Sequence, residues 1–220
     1  RCAVKFVDPW IASNRLADRF SREGKLLARL THPNIARLLD AESAQDGSPC
    51  LMLEYVDGQR IDEYCNERML SVRARVRLFI DVVAAVAHAH SQLVIHRDLK
   101  PSNVLVTADG QIKLLDFGIA KLLSADSTPE TVTRIEDAAL TPDYAAPEQL
   151  LGDLPSTATD VYQLGMLLFV LLTGKPPPQA VQTRAARIRA ALDGAIPTAS
   201  ELAEPPTRSA LRGDLDAILG

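Results

Sequence analysis

The sequence predicts an α+β fold of two lobes, a small β-rich lobe followed by a larger, mainly helical one. Short runs rich in β-branched and other apolar residues predominate in the first 56 residues, at 3–7, Ile35–Asp40 and Cys50–Tyr55. After residue 60, apolar residues recur every three or four positions, which is the helical period. This order of strands and then helices favours an α+β class over an alternating βαβ architecture.

Composition is that of a globular chain of 220 residues, with 47% hydrophobic and 24% charged residues. The net charge of −4 argues against a dominant nucleic-acid surface. The cysteines Cys2, Cys50 and Cys65 lack CxxC spacing, which predicts free thiols in core or half-buried positions of a protein in a reducing compartment. The longest apolar run, 161–172, is shorter than the ~20 residues that span a bilayer, and predicts a helix at the centre of a domain.

In the first lobe, residues 14–30 are interpreted as a helix that ends at Thr31-His32-Pro33, because proline cannot continue it. The polar segment Ser43–Ser48 is interpreted as the turn between two strands. Both the helix and the turn lie before residue 56.

The second lobe begins with a long helix whose N-cap is Ser71. The predicted buried face consists of Val72, Val76, Phe79, Val83, Val86 and His90. The elements predicted after it are a hairpin of Val104–Thr107 and Gln111–Leu115, a polar segment Ser124–Asp137, helices at about 157–173 and 180–193, a proline-containing connector Glu201–Arg208, and a helix from about Asp214.

Residues 94–103, VIHRDLKPSN, place several ionisable groups in a loop between the long helix and the hairpin. Asp98 and Asn103 lie in this loop, and Asp116 follows the hairpin in LLDFGIA. Because the hairpin doubles back, Asp116 is expected to return close to the other two. Two carboxylates and an amide oxygen are ligands that suit Mg²⁺.

Five motifs in order carry a resemblance to a known family. They are AVK at 3–5, HRDLKPSN at 96–103, DFG at 116–118, TPDYAAPE at 141–148 and DVYQLG at 160–165. In these motifs the chain resembles eukaryotic-like (Hanks-type) serine/threonine protein kinases, and most of all the bacterial ones. The resemblance implies a bilobal protein-kinase-like fold, with 1–56 as a partial N-lobe and hinge and 57–220 as the C-lobe.

The resemblance also implies ATP and Mg²⁺, with Mn²⁺ as a possible substitute, and assigns an ATP site. Lys5 matches the lysine that holds the α- and β-phosphates, with Glu23 as its partner. Leu53 matches the gatekeeper residue. The other positions assigned to adenine are Glu54 and Val56 in the hinge, and Ala3 and Leu105 on the two faces of the ring.

The catalytic positions follow from the same resemblance. Asp98 matches the base for the substrate hydroxyl, Lys100 the cation at the γ-phosphoryl group, and Thr141 the threonine that bridges them. Asp116 matches the main Mg²⁺ ligand and Asn103 the second ligand.

Other matching positions are expected to be structural. His96 and Phe117 should pack with Leu27, and Gly118 should allow a sharp turn. Asp160 should accept hydrogen bonds from the backbone of the 96–103 loop. Glu148 should pair with an arginine beyond residue 220.

Regulation is a further expectation. Arg97 precedes Asp98, an arrangement in which a phosphorylated loop can pair with the arginine. Thr128, Thr131 and Thr133 are the candidate sites of autophosphorylation.

Two other functions stay open. A pseudokinase scaffold would bind protein partners without catalysis, although Lys5, Asp98, Asn103 and Asp116 are all present. A small-molecule phosphotransferase is disfavoured by LKPSN and TPDYAAPE, and tyrosine specificity by Lys100.

The expected partners are protein substrates, with self-association for autophosphorylation, and without nucleic acid or membrane contact in these residues. The expected location is cytoplasmic, with any membrane anchor elsewhere in the parent protein. No GxGxxG precedes AVK, so we expect the glycine-rich loop and the end of the C-lobe to lie outside this sequence and assign the function to the parent domain.

Overall fold

The computed structural model describes residues 1–6, 24, 27–43, 49–117, 143–175, 197–205 and 207–219. The strands are β1 Cys2–Phe6, β2 Leu38–Ser43, β3 Pro49–Glu54, β4 Gly58–Arg60, β5 Val104–Thr107 and β6 Ile112–Leu114. The helices are α1 Ile61–Glu67, α2 Val72–Ser91, α3 Pro147–Leu151, α4 Thr157–Thr173, α5 Ala199–Leu202, α6 Thr207–Leu211 and α7 Asp214–Leu219, and Pro101–Asn103 is a short 3₁₀ turn.

The strands form two antiparallel three-stranded sheets, with the orders β1-β3-β2 and β4-β5-β6. The predicted α+β class is thereby confirmed. The strand predicted at Ile35–Asp40 is displaced, since β2 begins at Leu38 and runs to Ser43. The displacement has a physical reason, because residues 34–36 pair with β6 of the other sheet.

Residues 34–36 connect the two sheets through backbone hydrogen bonds. Ile35 forms a parallel bridge with Leu114 of β6. The N–H of Ala36 donates to the carbonyl of Leu114, and the N–H of Leu114 donates to the carbonyl of Asn34, both at 2.8 Å. These bonds satisfy backbone groups that would otherwise be buried without partners. The first sheet is therefore joined to the hairpin that carries Asp116.

Helix α2 begins as predicted, since the Ser71 hydroxyl accepts the N–H of Ala74 at 3.3 Å. Its buried face differs in part from the prediction, because Val83 is 38% exposed. The buried residues of the helix are Val82, Ala85, Val86 and Ala89. The two halves of α2 pack on different parts of the core, so the buried stripe turns along the helix. The small side chains of Ala85 and Ala89 allow close approach there.

Helix α4 is the predicted central helix, buried on nearly all sides from Leu164 to Thr173 except at Gly165. Ser156 caps its first turn, with its hydroxyl accepting the N–H of Ala158 at 3.2 Å. Gly174 ends it in the left-handed conformation, at φ +68°. None of the helices in the described part of the chain is long and apolar enough to cross a membrane.

The Arg75 side chain ties three helices together. Its guanidinium donates to the carbonyls of Cys65 at 3.1 Å, Leu70 at 2.9 Å and Leu171 at 2.7 Å. These oxygens lie at the end of α1, before α2 and near the end of α4. One cation of α2 therefore bonds to the end of α1, to the connection between α1 and α2, and to the last turn of α4.

The predictions for the three cysteines are confirmed in part. Cys50 and Cys65 are buried free thiols, as predicted, but Cys2 is exposed because β1 lies at an edge of its sheet. Burial raises the pKa of Cys65 to about 11, which makes it a poor nucleophile.

The predicted connector Glu201–Arg208 is shorter than expected, since α5 and α6 occupy its ends. The helix at 180–193 and the segment Ser124–Asp137 lie outside the described residues, as does most of the helix at 14–30.

Two histidines face each other between the 31–36 segment and α2. The rings of His32 and His88 stack with centroids 5.2 Å apart. The N–H of Asn34 donates to His32 Nδ1 at 3.2 Å, so this nitrogen carries no proton. Burial and, secondarily, the neighbouring His88 lower the pKa of His32 below its ordinary value. The contact favours the neutral form of His32.

Truncation of the central helix should be costly. Leu167 is 0% exposed in α4, so Leu167→Ala should lower the free energy of unfolding by about 2–5 kcal/mol, through lost burial and an unfilled cavity. Val161, in the same helix, is 63% exposed, and Val161→Ala should change it by less than about 0.5 kcal/mol. Denaturant titration of both variants measures this difference. Equal effects would contradict the central position of α4.

Stability should fall in mild acid. The folded-state pKa of His32 is lowered from 6.5, so below about that pH the unfolded chain binds more protons than the folded chain. The contribution of neutral His32 to the free energy of unfolding is fully present above pH 6.5 and is lost as the pH falls below that value. We expect His32→Gln to lose less unfolding free energy than the wild type between pH 7.5 and 5. Identical pH slopes in denaturant titrations would contradict this.

Candidate active site

The loop that carries Asp98 is held by one buried carboxylate of α4. Asp160 is 0% exposed, and its two oxygens accept the N–H groups of His96 and Arg97, both at 2.8 Å. His90, near the end of α2, contacts the same carboxylate through Nε2 at 2.7 Å. A buried carboxylate needs such partners. Asp160 therefore fixes where the chain leaves α2 and enters the loop.

Two residues of the site have a backbone conformation that side chains disfavour. Arg97 has φ +69° and Asp116 has φ +51°, both in the left-handed region. Such a conformation costs an ordinary residue roughly 1–2 kcal/mol. It persists where surrounding contacts determine the backbone, as the bonds to Asp160 do at Arg97.

His96 is a neutral structural residue. Its Nε2 faces the carbonyl of Leu115 at 2.8 Å, so this nitrogen must donate. The N–H of Asp98 donates to Nδ1 at 3.3 Å, so Nδ1 carries no proton. Burial lowers the pKa of His96, in agreement with this tautomer. The ring also packs on Phe117, with centroids 4.7 Å apart.

The Asp98 carboxylate is surrounded by donors from its own loop. Lys100 Nζ lies 3.0 Å from Asp98 Oδ2. Asn103 Nδ2 donates to the same oxygen at 3.0 Å and to the Asp98 carbonyl at 2.7 Å. The side chains of Asp98 and Lys100 are each 19% exposed, so both reach the surface of the cleft. The geometry presents a carboxylate and an ammonium group side by side.

Asp116 returns to this group, as the hairpin predicted. The N–H of Leu115 donates to the Asn103 carbonyl at 2.8 Å, which places Asp116 next to Asn103. Lys5 Nζ of β1 lies 3.1 Å from Asp116 Oδ2. The side chains are 44% and 34% exposed, and an ion pair of this kind contributes at most about 1 kcal/mol. Lys5 is therefore held loosely enough to exchange its partner for a phosphate.

The donor set fits Mg²⁺. Asn103 uses its amide nitrogen on Asp98, and its Oδ1 accepts no hydrogen bond from the described residues, which leaves this oxygen for a cation. Asp116 supplies a carboxylate beside it. Mg²⁺ takes one or two such protein oxygens together with phosphate oxygens and water. No cluster of three or more His, Cys, Asp or Glu side chains that could hold a metal without a nucleotide occurs in the described part of the chain.

Two of the predicted adenine positions lie on neighbouring strands, and the others lie in the second sheet or after β3. Ala3 of β1 and Leu53 of β3 are directly paired, and Leu105 lies in β5 of the second sheet. Val56 follows β3, and its N–H donates to no backbone carbonyl of the described residues. A purine has both donors and acceptors at its edge, and a backbone N–H in this position suits it.

The Glu54 side chain joins the end of β3 to β6 and to the residue before β2. Its Oε1 pairs with Lys113 Nζ of β6 at 2.8 Å, and its Oε2 accepts the N–H of Arg37 at 3.1 Å. Burial alone would raise the pKa of Glu54, but the bonds from Lys113 and Arg37 outweigh it and the pKa is lowered. The N–H of Glu54 donates to the Arg37 carbonyl at 2.8 Å, and the role predicted for Glu54 at adenine stays a prediction.

Several predicted site residues lie outside the described residues. They are Glu23, Gly118, Thr128, Thr131, Thr133 and Thr141. The Lys5–Glu23 pair therefore stays a prediction. Glu148 is described, and its Oε1 accepts the Thr159 hydroxyl at 2.5 Å. Its expected arginine partner stays a prediction as well.

Two glutamines that hold the loop, Gln149 and Gln163, are not among the residues predicted from the sequence. Gln163 Oε1 accepts the N–H of Leu99 at 2.8 Å, and Gln149 Nε2 donates to the carbonyl of Arg97 at 2.9 Å. One signal was present, since Gln163 is the polar residue that interrupts the apolar run of α4. A polar side chain in a buried helix requires a partner, and that partner is the loop backbone.

Comparison with known proteins agrees with this geometry. The profile of the family described as "Protein kinase domain" matches residues 1–210. The chain belongs to the protein kinase family. The crystal structure of the Mycobacterium tuberculosis PknI kinase domain is similar to it, with a TM-score of 0.70 and 28% identity over 100% of this chain and 77% of that chain.

Similar curated proteins are bacterial serine/threonine kinases. The probable kinase PknB of Lactococcus lactis is 38% identical over 72% of this chain and 25% of its own length. PrkC of Bacillus subtilis is 37% identical over 74% of this chain and 25% of its own length. Kinase pkn3 of Myxococcus xanthus is 32% identical over 94% of this chain and 43% of its own length. The chain thus spans between a quarter and less than half of these relatives, and the predicted Hanks-type, bacterial serine/threonine class is confirmed.

Removal of the Asp160 carboxylate should destabilise the fold. Asp160→Ala leaves two buried N–H groups without acceptors, which should lower the free energy of unfolding by about 2–5 kcal/mol. Asp62 pairs with Arg60 in the first turn of α1, and Asp62→Ala should cost at most about 1 kcal/mol. Thermal or denaturant unfolding of both variants measures the difference. A cost for Asp160→Ala no larger than that of Asp62→Ala would refute its anchoring role.

Proposed function

We propose that the kinase domain containing this chain transfers the γ-phosphoryl group of ATP to serine and threonine hydroxyls of proteins. The observation that carries the proposal is the juxtaposition of the Asp98–Lys100–Asn103 group and the Lys5–Asp116 pair, which the backbone bond between Leu115 and Asn103 brings together. A carboxylate base, two ammonium groups and two metal-ligand oxygens are the parts that phosphoryl transfer requires.

The residues have separate tasks in the reaction. The substrate hydroxyl oxygen forms a bond to the γ-phosphorus while the bond from that phosphorus to the bridging β–γ oxygen breaks, and ADP leaves. Asp98 accepts the hydroxyl proton. Lys100, 3.0 Å from Asp98, neutralises charge on the transferring group, and Lys5 holds the α- and β-phosphates by exchanging its contact with Asp116.

Asp116 and the Oδ1 of Asn103 would hold Mg²⁺, which, when bound, neutralises phosphate charge and orients the phosphates. Asn103 also fixes Asp98 through its amide nitrogen. The same residue would thus set both the metal position and the base position, and so the distance between hydroxyl and phosphorus.

We further propose autophosphorylation of the polar segment, at Thr128, Thr131 or Thr133. Arg97, adjacent to the base, would pair with the phosphate and so order the segment. The test is the triple exchange of these threonines to alanine in the complete protein. Loss of incorporated label together with lower activity on other substrates is expected, and unchanged activity would contradict it.

Replacement of the base and the metal ligand should abolish transfer. We expect Asp98→Asn and Asp116→Asn to lower kcat by at least about 10²-fold, since the first removes the proton acceptor and the second a metal-ligand charge. The assay uses the complete protein with labelled ATP and Mg²⁺, and follows label on itself and on a generic basic protein.

Asp109→Asn is the matched control, because Asp109 lies in the exposed turn of the hairpin and bonds only locally to Thr107. It should retain wild-type activity. Folded wild-type protein that neither binds ATP nor transfers label would refute the proposal and favour the scaffold function. Label on tyrosine or on a small molecule would contradict the substrate class.

A further inference from the structure

Behind the loop, two buried glutamines form a hydrogen-bonded pair. Gln149 of α3 is 6% exposed and Gln163 of α4 is 2% exposed. Gln163 Nε2 donates to Gln149 Oε1 at 2.8 Å. Buried amides must satisfy both donors and acceptors. These two do so largely on each other and on the backbone around Asp98.

The glutamine pair holds the peptide groups on both sides of Asp98. The carbonyl of Arg97, in the peptide before Asp98, accepts Gln149 Nε2 at 2.9 Å and Gln163 Nε2 at 3.3 Å. The N–H of Leu99, in the peptide after Asp98, donates to Gln163 Oε1 at 2.8 Å. Two peptide planes fixed in this way leave the Cα–Cβ bond of Asp98 one direction in space.

The other polar groups of these peptides are bonded within the loop. The N–H of Asp98 donates to His96 Nδ1 at 3.3 Å, and its carbonyl accepts Asn103 Nδ2 at 2.7 Å. All four backbone polar groups that flank the Asp98 side chain are therefore held. This agrees with the left-handed φ of Arg97, +69°, which persists only where contacts determine it.

The pair also reaches the TPDYAAPE segment. Gln149 Oε1 accepts the N–H of Ala146 at 3.1 Å, at the start of α3. Ala146 belongs to the motif that the family resemblance connects with the protein substrate. The amide pair thus joins the end of this segment to the peptide planes of Asp98.

We propose that Gln163 and Gln149 are positioning residues that aim the Asp98 carboxylate at the substrate hydroxyl, an inference that rests on the proposed kinase function. Neither side chain reaches the cleft. Gln163 needs both ends of its amide, the oxygen for Leu99 and the nitrogen for Gln149 and Arg97. A glutamate of the same shape keeps the acceptor but loses the donor, and it places negative charge against two oxygens.

The test compares Gln163→Glu, Gln149→Met and wild type in the complete protein, with kcat and KM for ATP and for a generic basic protein. We expect kcat to fall about tenfold or more in each variant, because small displacements of a catalytic group are costly. KM for ATP should stay within about twofold, since the pair does not touch the ATP site. The folded fraction is measured by ATP-binding stoichiometry.

Thr173→Val is the matched control for lost stability. Thr173 is a buried residue of the same helix, with its hydroxyl bonded to the Phe169 carbonyl at 2.8 Å, far along α4 from the loop. It should lower the unfolding midpoint and leave kcat per folded molecule unchanged. If the glutamines had a purely structural role, their variants would likewise show a lower unfolding midpoint and an unchanged kcat per folded molecule.

The outcomes are distinct. Glutamine variants whose kcat per ATP-binding molecule stays within twofold of wild type overturn the proposal. An inactive wild type would instead refute the proposed function. An active wild type with low-kcat, ATP-binding variants supports both.

Discussion

The site depends on the contact between the backbone of residues 96–99 and the polar side chains of a buried helix. Asp160 and Gln163 of α4 take the N–H groups of His96, Arg97 and Leu99. Helix α4 is surrounded by the core, so these acceptors cannot move without disturbing it. The loop is irregular in conformation, yet its position is as fixed as that of the helix behind it.

The remainder of the site follows from this anchor. His96, held at its N–H, holds the carbonyl of Leu115, and Asn103 holds the N–H of Leu115 through its own carbonyl. Asp116, the next residue, is thereby placed beside Asn103 and within 3.1 Å of Lys5. Core, loop, hairpin and the first sheet form one chain of contacts that ends at the reacting groups. Rigid elements behind a polar cleft are what electrostatic catalysis requires.

Periodicity and turn signals predicted the elements whose partners are local. Helix α2 with its Ser71 cap, α4 and the β5–β6 hairpin belong to this group, and the motif residues Asp98, Asn103 and Asp116 do come together as expected. Pairing between segments that are distant along the chain was harder to predict from the sequence. Residues 34–36 bond to β6 instead of continuing the strand, so β2 begins at Leu38 and runs to Ser43. The stripe on α2 turns because its halves meet different neighbours, and no pattern within the helix encodes that.

The glutamine pair shows that long-range contacts within the site are equally hard to predict from the sequence. Gln163 is visible in the sequence as a polar residue in an apolar run, but its partners, Gln149 and the peptides around Asp98, are remote along the chain. Neither residue is charged, and neither has a spacing that marks a site. Only the fold reveals that their amides fit the backbone on both sides of the predicted base.

The central claim is that buried side chains of α3 and α4 fix the loop, and native-state hydrogen exchange of the complete protein tests it most directly. The amides of His96, Arg97 and Leu99 should exchange only through global unfolding, with the protection of the α4 core. The amide of Gly110, bonded to Thr107 in the hairpin turn, should exchange faster through local opening. Exchange of the three loop amides at the rate of Gly110 would contradict the account.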